Sequence, residues 1–387
     1  MAAWFLWKTR VPGDLRLPHV EPARYFSEHD LHRAARYERF GRLDCGIGTV
    51  VELAVLAVLA LLGPRIASGF ALGRVGTGVM VGAVATLMLW LVGLPFGFGE
   101  LWWNRRYGLS RRGYGEWLLE QWPSLLGQVV GLTILLTILM LLAGWLRRYW
   151  WLVAGPLLVV IGAALVFVLA YFARVGTHPI RNDAVAADVR QLAGIEGVPK
   201  TTVRVEKVSD DTRAVNAEAT GFGPSTTVVL WDTLFDGRFS RRAIDVVAAH
   251  ELGHVARHHI WKGIAWSALL TTPLMFLVAA ATRRRGGMHR PEVVPFALLV
   301  IAALSVLITP LENVISRRYE AEADWMALQA TRDPSGAREL FRRFGSVDLE
   351  QPNPPGWDYV LLENHPTLAQ RLAMVEAWRE RAAASAR

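Results

Sequence analysis

Residues 250–254 read His-Glu-Leu-Gly-His. On a helix, residues four apart share a face, so His250 and His254 can offer imidazole nitrogens to a single metal ion. Glu251 directly follows the first of them, which places its carboxylate beside the water that such a metal would activate. Two neutral imidazoles with an adjacent carboxylate imply a zinc hydrolase: His250 and His254 as ligands, Glu251 as general base, one Zn2+ per chain. The approach, Ser240-Arg-Arg-Ala-Ile-Asp-Val-Val-Ala-Ala, reads as a capped helix that enters the motif and is expected to run from about 241 to 259.

A third ligand is expected from Ser316-Arg-Arg-Tyr-Glu-Ala-Glu-Ala-Asp. Glu320 and Asp324 are spaced i, i+4 and share one helical face. The economical assignment makes Glu320 the ligand and lets Asp324 orient a ligand histidine through its second ring nitrogen. Glu322 points elsewhere and is read as solvated or paired with arginine. His258 and His259 lie one turn past the motif, near Lys262 and an apolar run, and are expected to face lipid headgroups. Asn216 and Ala217 lie where an edge strand can pair with an extended substrate backbone.

The elements that position these residues belong to an unusually apolar chain. Of 387 residues, 52% are hydrophobic, and the mean hydropathy of +0.27 is too high for an ordinary soluble enzyme. Six apolar runs approach or exceed spanning length, at roughly 45–63, 75–101, 124–146, 149–173, 260–281 and 294–312. Residues 1–16 have no apolar core, so no cleavable signal peptide is expected. The net charge of +8 needs no nucleic acid, because basic residues cluster beside the spans, where headgroups favour them. Those in residues 1–44, with Arg105, Arg106, Arg111 and Arg112, favour a cytoplasmic N-terminus and a cytoplasmic catalytic side. Arg283, Arg284, Arg285 and Arg290 would then face outward and argue the other way. Trp102, Trp103, Trp150 and Trp151 fit an interfacial belt. Glu52 and Glu100 are candidates for lining an intramembrane cavity. The one cysteine, Cys45, excludes an intrachain disulfide and a Cys-rich metal site.

The organisation read from this pattern has five parts. Residues 1–44 form an N-terminal amphipathic, interfacial segment in which Phe26-Ser-Glu-His-Asp carries a capping signal. Residues 45–173 make a four-span membrane region. Residues 174–259 begin the catalytic domain, with a helix at 183–196, strands at Thr201-Thr-Val-Arg-Val-Glu-Lys-Val and Thr226-Thr-Val-Val-Leu-Trp, and then the motif helix. Residues 260–312 form a transmembrane hairpin whose return helix continues into the Glu320 segment. Residues 313–387 complete the catalytic domain. The spans and polar segments together give a predominantly α-helical multi-pass membrane protein with a small β-sheet.

These motifs, in this order, resemble the type I CAAX prenyl endopeptidases and, more distantly, the HtpX membrane proteases. Asn216-Ala-Glu-Ala-Thr-Gly-Phe-Gly resembles the family's Asn-Ala-x-x-x-Gly-Phe, and Val228-Val-Leu-Trp-Asp-Thr-Leu its following strand and turn. Ser316-Arg-Arg-Tyr-Glu-Ala-Glu-Ala-Asp is similar to Ser-Arg-x-x-Glu-x-x-Ala-Asp, and His365-Pro-Thr through Arg371 to His-Pro-x-x-x-x-Arg. Leu94-Pro-Phe and Tyr107-Gly-Leu are similar to the prenyl-protease membrane region. Two departures are that residues 1–44 hold no apolar run matching the family's usual leading span, and that Ser209-Asp-Asp-Thr-Arg-Ala-Val is poor in Ser and His. The resemblance implies a zincin-like metalloprotease domain. It also implies that His365 hydrogen-bonds the oxyanion and that Arg371 serves structure or substrate positioning.

The expected activity is hydrolysis of peptide bonds in membrane-associated, lipidated or misfolded proteins, with Glu251 as general base. The implied partners are a peptide or membrane-protein substrate and the lipid bilayer, and the implied location is a bacterial cell membrane with the site facing the cytoplasm. A catalytically idle peptide- or lipid-binding scaffold that keeps the zinc site is the alternative, though such a module has no need of Glu251. A site-2-type intramembrane protease is disfavoured by Arg241, Arg242, Asp245, Arg257 and Lys262 around the motif.

Overall fold

The computed structural model describes residues 2–221 and 223–385. A short helix, α1 (Ala2–Trp7), precedes four long ones: α2 (Glu28–Ser68), α3 (Gly73–Tyr107), α4 (Tyr114–Leu146) and α5 (Trp150–Phe172). A polar segment follows, with β1 (Thr177–Pro179), α6 (Asp183–Ile195), β2 (Thr202–Glu206), β3 (Ala217–Thr220), β4 (Thr227–Trp231) and α7 (Arg241–Ala256). Helices α8 (His259–Arg283) and α9 (Val294–Thr331) form a second membrane hairpin. The chain ends in α10 (Pro334–Val347), α11 (Gly356–Leu361) and α12 (Leu368–Ser385).

Five apolar stretches among the described residues are long enough to cross a membrane, and the third, Tyr114–Phe172, contains both α4 and α5. At Arg147 the backbone takes φ 53°, which breaks that stretch into a hairpin. Lipid replaces a protein core on the outside of the bundle. Leu61, Leu119, Leu126, Val160 and Leu307 are all exposed, as suits a surface solvated by hydrocarbon. Inside, Val81, Leu136, Met140, Ala154, Met275 and Val294 form a buried cluster. Gly155 lets α5 close on α8, because a Cβ there would overlap Thr272.

Two helices connect the bundle to the polar domain. Helix α2 begins at a Ser27 cap, whose side chain accepts from the Asp30 amide at 3.1 Å, and runs unbroken for 41 residues. Residues 28–44 of the expected interfacial segment 1–44 are therefore not a separate element: they are the first turns of the spanning helix itself. Helix α9 runs 38 residues, about 57 Å at 1.5 Å per residue. That is well beyond a hydrocarbon core of about 30 Å, so its second half carries Glu320 and Asp324 into the polar domain.

The sheet has the order β1-β2-β4-β3, with β2 and β4 parallel and β3 antiparallel to β4 at an edge. Both expected strands are present; β1 and β3 are additional. Beneath the sheet, Val228, Leu230, Val246, Leu252, Leu328, Leu340 and Leu372 build the core of the polar domain. It joins β4, α7, α9, α10 and α12, so the elements that carry the site pack against one another directly.

Candidate metal centre and cleft

Helix α7 is positioned before it carries any chemistry. Its cap, Ser240, accepts from the Ala243 amide at 3.3 Å and is itself held by Glu339. From Ala248 to Gly253 the helix is buried on every side, His250 and Glu251 included. Gly253 is what allows α7 to lie against α9. A Cβ there would stand 3.1 Å from Met326 Cβ and 3.5 Å from Ala323 Cα. This close approach brings the motif helix to Glu320.

His250 Nε2 lies 3.1 Å from His254 Nε2 and 3.1 Å from Glu320 Oε2. His254 Nε2 lies 3.5 Å from Glu320 Oε1. Tetrahedral bonds to zinc of about 2.0–2.1 Å hold their donors about 3.3–3.4 Å apart. Two imidazole nitrogens and a carboxylate oxygen at these separations fit such an ion, and the three residues form one group able to hold a metal. Burial opposes a charge on His250, yet its hydrogen bonds to Asp324 and Glu320 outweigh burial and push its pKa up to about 10. A field that favours a proton there also favours a divalent cation. A second acidic group, Glu38, Asp358 and Glu363, already has a cation: Arg42 bonds both Glu38 and Asp358.

Each of these two histidines is gripped from behind. His250 Nδ1 lies 2.9 Å from Asp324 Oδ1. Arg371 donates to both oxygens of Asp324, at 2.9 and 2.7 Å, and stacks over Phe341. The buried Arg371 thus holds Asp324, and it also lines the cleft beside the histidines. Behind His254 stands His259, with the two Nδ1 atoms 2.9 Å apart. His259 Nε2 lies 3.0 Å from Glu322 Oε2, and its ring stacks on Tyr319 at 4.6 Å.

One expectation fails here, and one of two open readings is decided. His259 does not face headgroups; it is 6% exposed and turned toward the metal centre. The reason is a break in the backbone. Helix α7 stops at Ala256, short of 259, and His258 takes φ 56° before α8 starts, which reverses the direction of the next side chain. His258 is exposed and lines a cavity with Lys200 and Trp261. Glu322 is paired with arginine but not solvated. It is fully buried and accepts from Arg257 and from the Arg10 amide at 2.7 Å each, and from Lys262 at 3.3 Å. No sequence periodicity signals this pair, because the N-terminal segment supplies part of the cover.

A cleft of about 250 Å³ opens beside the ligands, lined by Val215, Asn216, Ala217, Glu251, Asp348, Glu350 and His365 among others. Buried Glu251 faces this cleft with the β3 edge opposite. Ala217 pairs with Leu230, and Asn216 uses its carbonyl to accept from the Trp231 amide at 3.0 Å. The far edge of β3 has no strand neighbour among the described residues. Phe222 lies outside the described residues. His365 Nε2 lies 3.2 Å from Glu320 Oε2, at the mouth of the cleft. The floor is acidic: burial raises Asp348 to about 7 and Glu350 to about 8. Of the membrane carboxylates, Glu100 lines a separate cavity with Glu38 and Asp358, and Glu52 is exposed.

The model of the family described as Peptidase family M48 matches residues 179–379. "Uncharacterized metalloprotease YhfN" of Bacillus subtilis is 24% identical over 96% of this chain and 93% of its own length. "CAAX prenyl protease 1" of Saccharomyces cerevisiae is 25% identical over 74% of this chain and 69% of its own. The fold resembles the crystal structure of S. mikatae Ste24p with a TM-score of 0.76, at 17% identity over 97% of this chain and 95% of that one.

Proposed function

We propose, for a chain that belongs to peptidase family M48 and is a multi-pass membrane metalloendopeptidase, that the metal is zinc held by His250, His254 and Glu320, and that Glu251 is the general base. The observation that carries this reading is the convergence of three donors at 3.1, 3.1 and 3.5 Å beside a buried glutamate and an open strand edge. Bound there, zinc supplies a Lewis acid that lowers the pKa of water and polarises the scissile carbonyl.

The remaining work falls to this chain's own residues. Glu251 takes the proton of the attacking water and passes it to the leaving amine. Asp324 fixes the ring of His250, so that its Nε2 lone pair is presented to the metal. An extended substrate adds as a strand along β3 at Asn216 and Ala217, with main-chain hydrogen bonds setting its register. His365 stands at the cleft mouth, where its Nε2–H can donate to the oxyanion. Donors of that kind contribute about 2.7–4 kcal/mol.

The substrates are membrane-associated, lipidated or misfolded proteins of a bacterial cell membrane. The spanning helix α9 carries Glu320, and the spanning helix α8 follows directly on the motif helix α7; both support this, because a chain already at the bilayer surface reaches the cleft without leaving it. The basic residues of 1–44 and 105–112 on the catalytic side support a cytoplasmic site. Cleavage of unfolded and farnesylated peptides by the detergent-purified protein tests the reading. Glu251→Gln is expected to lower turnover by about 10²–10⁴. An idle scaffold would give no turnover in either protein.

A further inference from the structure

At the end of the bundle remote from the metal centre, the α4–α5 turn and the C-terminus of α8 enclose a cavity of about 610 Å³. Arg147, Arg148, Arg283 and Arg284 line it. No ion pair joins any of the four to a carboxylate among the described residues. The one ion pair in the neighbouring turn, Arg290 to Glu292 at 3.5 Å, involves neither wall of the cavity. Burial first, and then Arg147, Arg74 and Arg290, hold the His289 imidazole below its ordinary pKa, so Arg74 and Arg290 add to the same field. Gly286 and Gly287, at φ 99° and 96°, carry the backbone tightly round the cavity rim.

Below the arginines the lining turns apolar. Ala143, Trp151, Phe276, Ala279 and Ala280 form the wall, with Trp151 and Phe276 edge to face at 5.1 Å. That wall continues into the lipid-facing surfaces of α5 and α8, where Leu152, Phe276 and Leu277 are exposed. Arginines that only snorkelled would spread round the bundle. Here two hairpins, distant in sequence, aim two adjacent arginines each into one concavity. Arginine does not lose its charge, and its planar fork matches phosphate oxygens. Four guanidinium groups without a carboxylate partner among the described residues, of which only Arg148 lies over an aromatic ring, that of Tyr149, stand above an aromatic wall at a membrane boundary and call for an anion that is apolar on one side.

We propose that this cavity binds one anionic glycerophospholipid of the leaflet distal to the metal centre, with its phosphodiester held by Arg147, Arg148, Arg283 and Arg284 and its upper acyl carbons on Trp151 and Phe276. A free phosphate ion satisfies the arginines but leaves the wall uncovered. A zwitterionic lipid brings its own cation among the arginines. Anionic lipid satisfies both halves of the site. Such basic pockets between spans suit anionic headgroups, at about tenfold or less in affinity for each arginine.

The test uses delipidated full-length protein in detergent, titrated with phosphatidylglycerol, phosphatidylcholine or inorganic phosphate, with lipid retention read by native mass spectrometry. One phosphatidylglycerol per chain is expected to be retained in preference to phosphatidylcholine. Arg283→Gln with Arg284→Gln should weaken it about thirtyfold. Arg36→Gln with Arg39→Gln, an equal charge change on the catalytic side, should leave it unchanged. Should the glutamine pair not fold, lysine at 283 and 284 keeps the charge but loses the fork, and should weaken retention several-fold. Retention that is equal for both lipids, unaffected at 283 and 284, or reduced as much by the control pair overturns the proposal. Displacement of phosphatidylglycerol by equimolar inorganic phosphate also overturns it, in favour of a site for the free ion.

Discussion

Nδ1 of His259 lies 2.9 Å from Nδ1 of His254, and this contact decides which nitrogen of His254 is left free for the proposed metal. Glu322 is a carboxylate and only accepts, so His259 donates to it from Nε2 at 3.0 Å. The remaining Nδ1 of a neutral His259 is then an acceptor. His254 must donate to it from its own Nδ1, which leaves the Nε2 lone pair for the metal. His250 is held in the same sense by Asp324, with Arg371 behind it. The two ligands thus have parallel supports, one short and one routed through a second imidazole.

His259→Phe keeps the stack on Tyr319 but removes the acceptor. Zinc affinity, read by chelator competition, is expected to fall about 10–100-fold. His259→Asn puts an amide oxygen near the Nδ1 position and should stay within a few-fold of wild type. If the contact were only packing, the order of the two variants would invert. Tautomers read by nitrogen-15 NMR of the zinc-loaded wild type, with Nδ1–H on His254 and Nε2–H on His259, check the same relay without any substitution.

Arg371→Met leaves Asp324 buried with one partner fewer. Removing one member of a buried ion pair costs about 3–5 kcal/mol, so the thermal midpoint should drop and zinc affinity should fall with it. Arg371→Lys should recover only part of the loss, since one ammonium cannot make both contacts to the carboxylate. Full recovery by lysine would show that charge alone, not the fork, holds Asp324.

The pH dependence of stability carries the sign of a raised carboxyl. Burial lifts Asp348 to about 7, against the lowering effect of the Val215 amide and Arg238. The folded state therefore holds its proton more tightly than the unfolded state. Its penalty is absent below the unfolded carboxylate range near pH 4, grows as pH rises through about 7, and then levels off. Asp348→Asn does not titrate and keeps an acceptor for the Val215 amide. Relative to wild type, its stability should grow between pH 5 and 8, by no more than about 1.4 kcal/mol per pH unit. A difference that is flat across this range would place the Asp348 carboxyl in a solvated site.

What could be read from the sequence follows the range of the forces involved. Helical periodicity is local, so His250, His254, Glu320 and Asp324 were legible as two i, i+4 pairs. Continuity of an apolar helix into a polar one told that Glu320 returns to the face from which α7 leaves. His259 was not legible, because its direction depends on a left-handed residue at 258 that carries no glycine or asparagine to announce it. Burial of Glu322 depends on Arg10, more than three hundred positions away. The strands β1 and β3, of 3 and 4 residues, are too short to show an alternation. Residues 28–44 looked separate because their composition is polar, yet a helix of 41 residues extends well past hydrocarbon at one end. The closeness of α7 to α9 rests on Gly253, and Gly253→Leu should separate the helices and lower zinc affinity while helix content by circular dichroism stays intact.

Zinc content and peptide turnover, measured on the same samples of wild type, Glu251→Gln and Glu320→Gln, test the central claim most directly. One zinc per chain is expected in the first two, turnover only in the first, and loss of both zinc and turnover in the third. Turnover by Glu251→Gln within about tenfold of wild type, or full zinc in Glu320→Gln, would contradict the account.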